Sequence, residues 1–87
     1  MNALLVGNLF KGLTDDELLR IELINGNKIY CLPSDQVYVA PARVKIMKPI
    51  KKGKYQIIII DPNAIALVCT MSRQTYDLKL QRGELYV

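Results

Sequence analysis

The chain has no histidine and no tryptophan, one phenylalanine, and two cysteines among its 87 residues. Without histidine it lacks the side chain that most often moves protons near neutral pH. The same absence removes the base of Ser-His and Cys-His nucleophile pairs and the commonest ligand of zinc sites. Cys31 and Cys69 are too far apart in sequence for the close-pair spacing of a metal or redox motif, and too few for a disulfide-stapled secreted domain. Each lies in an apolar stretch, so both are expected as buried free thiols that pack as small hydrophobes. The five glycines are scattered and form no phosphate-cradling loop.

Carboxylates cluster only at Asp15-Asp16-Glu17, which reads as the solvated start of a helical turn. No second ligand set converges on it, so no metal and no cofactor are expected. Asp35 and Asp61 border proline-containing turns and read as turn formers, while Ser34 and Cys31 have no activating base in view. An enzyme is not expected.

Long apolar runs are also missing. Nothing approaches the roughly 20 consecutive apolar residues of a membrane span, and residues 1–10 lack the basic region and cleavage site of a secretory signal. A cytoplasmic protein with no membrane partner is the expectation. At this length residues 1–87 make a single domain, with a thin core. With aromatics at 7% and hydrophobics at 51%, Ile, Leu and Val must fill that core.

The pattern that is present favours strands. Leu19, Ile21 and Leu23 alternate with Arg20 and Glu22, just after a Thr14-x-x-Glu17 capping spacing that predicts a short helical turn near residues 14–18. Asn25-Gly26 marks a hairpin. A three-residue Asn25-Gly26-Asn27 loop, with Asn27 left-handed, puts Leu19, Ile21 and Leu23 on one face with Ile29 and Cys31, and Arg20, Glu22, Lys28 and Tyr30 on the other. Val37 to Val39 continues as a strand, and a second hairpin runs from Arg43–Lys48 through Pro49–Gly53 to Lys54–Ile60. Four consecutive isoleucines, Ile57 to Ile60, predict a central strand covered on both faces. Asp61-Pro62 suits a helix start or a turn, and residues 65–71 read as a strand. Tyr76, Leu78 and Leu80 alternate with polar residues ahead of Arg82-Gly83, predicting a C-terminal hairpin that pairs Leu80 with Leu85 and Leu78 with Val87. The fold expected is mainly β, a small barrel or sandwich of about seven to eight short antiparallel strands.

Two features bear on function. The apolar residues Leu4, Leu5, Val6, Leu9 and Phe10 read as a core strand or as a partner-binding or self-association strand. Net charge is +4, yet Arg43, Lys45, Lys48, Lys51, Lys52 and Lys54 fall within twelve residues and no acid occurs between Gln36 and Ile60. The remainder is mildly acidic, so the positive charge belongs to one hairpin. The function expected is a non-enzymatic interaction module working by protein–protein contact, as a homo-oligomeric building block or a regulator of a larger partner. The alternative is a nucleic-acid-binding protein that lays basic hairpin 43–54 along phosphates.

Overall fold

A computed structural model describes residues 2–84. It is mainly β, as expected, but with six strands among the described residues rather than seven or eight, in two antiparallel sheets of three that do not close into a barrel, flanked by two short helices.

The first sheet has the order β2-β1-β6, with β1 at Glu17–Leu23, β2 at Lys28–Cys31 and β6 at Ile65–Ser72. Leu19 pairs with Cys31 and Ile21 with Ile29, so the inward and outward sets divide as the alternation predicts. The loop differs by one residue. Leu23 N–H donates to Asn27 O, which closes the hairpin over Ile24-Asn25-Gly26. Gly26, at φ +88°, takes the left-handed position expected of Asn27. Asn25 instead turns the chain with its side chain, accepting from Asn27 N–H at 2.9 Å.

The second sheet has the order β3-β4-β5, with β3 at Gln36–Ala40, β4 at Arg43–Lys51 and β5 at Lys54–Ile60. The basic hairpin forms as expected but turns more tightly, at Lys52-Gly53, since Lys51 already pairs with Lys54. A register shift between Pro49 and Lys51 accommodates the proline, which cannot donate to a ladder. Val44, Ile46, Ile58 and Ile60 face inward against Leu19, Ile21, Cys31 and Ile65 to form the shared core.

Four sequence expectations are corrected. The N-terminal apolar segment is a helix, α1 (Asn2–Lys11), and not a strand. Ala3 and Val6 are buried, Leu9, Phe10 and Leu13 pack against the core, and this three-to-four spacing is the helical period. The helical turn expected at residues 14–18 is cut to one hydrogen-bonded turn: Glu17 N–H donates to Thr14 O at 3.1 Å and its carboxylate accepts from Thr14 N–H at 3.2 Å, but Glu17 is already the first residue of β1. The isoleucine run is not central. β5 is an edge strand, with Ile58 and Ile60 inward and Ile57 and Ile59 left 53% and 59% exposed.

The C-terminal hairpin gives way to a helix, α2 (Arg73–Gln81). Ser72 caps it by accepting from Thr75 N–H at 3.1 Å, and Arg73 and Asp77 pair one turn apart. Gly83, at φ +71°, closes the far end in the left-handed conformation common after helices. Leu85 and Val87, the expected partners of Leu80 and Leu78, lie outside the described residues. The strand expected at residues 65–71 is present as β6, entered from a 3-10 turn (Pro62–Ala64) that Asp61 caps by accepting from Asn63 N–H.

The helices cover different parts of the molecule. α1 packs on β3, β6 and β1, and at Gly7 it approaches so closely that an added Cβ would lie 3.3 Å from Val39 Cγ2. α2 leaves the end of β6, and its Tyr76 ring meets Tyr30 of β2 at 5.3 Å.

Candidate interaction surface

Alternation along β3, β4 and β5 sends every second side chain away from the core, and the pairing lines these residues up in rows. Tyr38, Lys45 and Ile59 form one row; Gln36, Met47 and Ile57 form the next; Pro49 and Tyr55 follow, with Ala40 and Arg43 at the other end. Tyr38, Tyr55, Ile57 and Ile59 are all exposed. Lys45 Nζ lies 5.9 Å from the centre of the Tyr38 ring, within cation–π range, and the Tyr38 hydroxyl donates to Gln36 Oε1 at 2.9 Å. Neither α1 nor α2 packs on these rows: α1 sits on the core side of β3, and both helices otherwise lie against the first sheet.

The same sheet ends on an open backbone edge. Among the described residues β5 pairs only with β4, and in the other sheet no described strand pairs with β6 along residues 66–71, on the side away from β1. An edge that carries exposed Ile57 and Ile59 has both free backbone groups and apolar side chains to offer an incoming strand.

The six basic residues do not form one patch. Arg43 and Lys45 belong to the apolar outer face. Lys51, Lys52 and Lys54 cluster at the exposed hairpin tip. At ~3.3 Å per residue, Arg43 and Lys51 stand roughly 26 Å apart along β4. Lys48 is structural: its Nζ meets Asp35 Oδ2 at 2.5 Å and also donates to Tyr30 O, tying β4 to the turn between β2 and β3. Asp35 is buried and also accepts from Leu32 N–H at 2.9 Å, so the carboxylate has the partners that burial demands.

The five N-terminal apolar residues divide as well. Val6 is fully buried, Leu9 and Phe10 are partly buried on the core, and Leu4 and Leu5 remain exposed on α1. Only Leu4 and Leu5 are therefore displayed to a partner. Sequence reasoning misses Tyr38, Ile57 and Ile59. Tyr38 is adjacent to Lys45 only through the β3–β4 register, and the isoleucines are exposed because neither helix covers that face and β5 ends the sheet.

Of the two cysteines expected in the core, only Cys31 is buried; Cys69 is partly exposed. Cys31 faces the core beside Leu19, while Cys69 pairs with Arg20 on the opposite face of the same sheet, and both are free thiols. Burial pushes the Cys31 thiol up to about 12, against the opposing pull of Lys48, so it is held protonated and unreactive. Among the described residues no group of three or more His, Cys, Asp or Glu is placed to hold a metal ion, and no helix is long and apolar enough to cross a membrane.

The chain matches no protein-family model, no curated protein and no solved structure.

Proposed function

We propose that this protein is a self-associating interaction module, and that it associates through the β5 edge and the outer face of the β3–β4–β5 sheet. The observation that carries this reading is the pair Ile57 and Ile59, each more than half exposed on a strand with an open edge. The natural occupant is a second copy, because the two longest of the four outermost strands are of similar length, β5 with 7 residues and β6 with 8. Edge-to-edge pairing of β5 with β6 of a neighbour is heterologous, and such contacts build rings when the rotation closes. Leu67, exposed on β6, would extend the apolar contact.

Amide hydrogen exchange tests this reading. β5 amides that have no partner in the isolated chain are expected to become protected as concentration rises, and to lose that protection in Ile57→Lys/Ile59→Lys. Exchange along β5 that stays fast at every concentration overturns it.

A second reading, nucleic-acid binding, draws support from one observation. Tyr38 lies beside Lys45 and Arg43, and Tyr55 shares their face, so aromatic rings and cations alternate on an open sheet as a single-strand platform requires. Retention on single-stranded nucleic acid at low salt, abolished in Tyr38→Ala/Lys45→Ala, would favour it over self-association.

A further inference from the structure

A cleft of about 530 Å³ opens between the β1–β2 hairpin and the C-terminal end of α2. Three cations line it from three elements: Arg20 on β1, Lys28 on β2 and Lys79 on α2. The lining has one carboxylate, Glu84, whose N–H donates to Lys79 O as the chain leaves the helix. Glu22 stands two residues along the same strand face from Arg20 and opposite Lys28, and forms no ion pair with either among the described residues.

Arg20 is the informative member. Its Nε is shut away from solvent and has no hydrogen-bond partner, the one buried side-chain polar atom of which this is true among the described residues. Buried donors in folded proteins are almost always satisfied, so this orphan shows a guanidinium not spent on protein acceptors, on a residue that lines a cleft beside two further cations. Guanidinium presents a rigid fork of donors that matches a phosphate or carboxylate, and the flanking ammonium groups add point charge without geometric demand. Tyr30, directly across the ladder from Arg20, forms a wall of the cleft.

We propose that this cleft binds the phosphate group of a small phosphomonoester, with Arg20, Lys28 and Lys79 as its donors. The ring of Tyr30 gives the ester's organic part a surface to lie on, so an aromatic phosphomonoester binds more tightly than inorganic phosphate. The cleft does not include Ile57 or Ile59, so binding there does not depend on self-association.

Thermal unfolding and amide NMR with inorganic phosphate and with adenosine monophosphate test the site. Adenosine monophosphate is expected to raise the melting temperature saturably and to shift the amides of Arg20, Lys28 and Lys79. Lys28→Ala and Lys79→Ala, both away from the core, should each weaken binding about tenfold. Arg20→Lys keeps the charge and removes the fork, and should weaken it similarly. Equal stabilisation by sodium sulfate or chloride at matched ionic strength, undiminished in the Lys28→Ala/Lys79→Ala variant, overturns the proposal. So do shifts confined to the hairpin tip at Lys51, Lys52 and Lys54.

Discussion

Lys48 and Asp35 meet at 2.5 Å across the junction of the two sheets, and this pairing separates Lys48 from the five other cations of its hairpin. Asp35 keeps 3% of its side-chain surface and Lys48 23%, so the carboxylate is the partner that cannot find water if the pair is broken. Lys48→Met should therefore destabilise the fold by about 3 kcal/mol, the low end for a broken buried pair because Lys48 is itself partly solvated. Lys48→Met/Asp35→Leu should recover part of the deficit, and urea denaturation of both variants checks it. A cost for Lys48→Met no larger than that of Lys51→Met would show the pairing to be incidental.

Cys31 gives stability a slope in alkaline solution. Its thiol is held near 12 in the folded chain against an ordinary value of 9.0, so the native state keeps a proton that the unfolded chain releases. That contribution is complete below pH 9.0 and lost as pH climbs towards about 12. Burial also raises the Tyr30 hydroxyl, which acts in the same direction. The informative quantity is a difference: Cys31→Ala should lose less stability than the parent chain between these limits. Parallel curves would contradict the burial of Cys31.

Gly7 lets α1 seat on β3. An added Cβ would meet Val39 Cγ2 at 3.3 Å, a distance a small shift of Val39 can relieve, whereas a larger branched side chain must displace Val39 further or lift α1. Gly7→Leu should cost about 1–3 kcal/mol by overpacking. Leu4→Ala, on a residue 66% exposed, should cost less than about 0.5 kcal/mol. Chemical denaturation of the two variants distinguishes a seated helix from a loosely attached one.

The fold is legible in the sequence where one face of a strand is buried. Leu19 and Ile21 announce the inward face of β1, and the opposition of Ile29 and Cys31 follows from it. α1 is hidden because Leu4, Leu5 and Val6 run together and blur the helical spacing of Ala3, Val6 and Phe10. α2 passes for a strand because Tyr76, Leu78 and Leu80 satisfy a period of two, while Tyr76 and Leu80 also sit one helical turn apart. The Ser72–Thr75 cap decides between them, and its signal is weak beside that alternation. The exposure of Ile57 and Ile59 depends on neither helix covering that face and on β5 ending the sheet, which are properties of the assembled fold. Lys48 looks like its neighbours because Asp35, thirteen residues away, becomes its partner only on folding.

The hairpin tip separates charge from stability. Lys51 and Lys52 are exposed and make no ion pair among the described residues, so Lys51→Glu/Lys52→Glu should change unfolding free energy by less than about 0.5 kcal/mol. If the tip touches phosphates, the same variant should also lower the salt slope of nucleic-acid binding, by about one unit for each phosphate no longer neutralised. An unchanged slope would remove the tip from any nucleic-acid interface.

Solution mass, measured by light scattering on a sizing column, tests self-association through the β5 edge most directly. At ~50 μM, in the range where edge-paired assemblies of nanomolar to micromolar affinity persist, the parent chain should elute as a dimer or larger species. Ile57→Lys/Ile59→Lys should elute as a folded monomer under the same conditions. A parent chain that is monomeric at this concentration, or a lysine variant that assembles as the parent does, would contradict it.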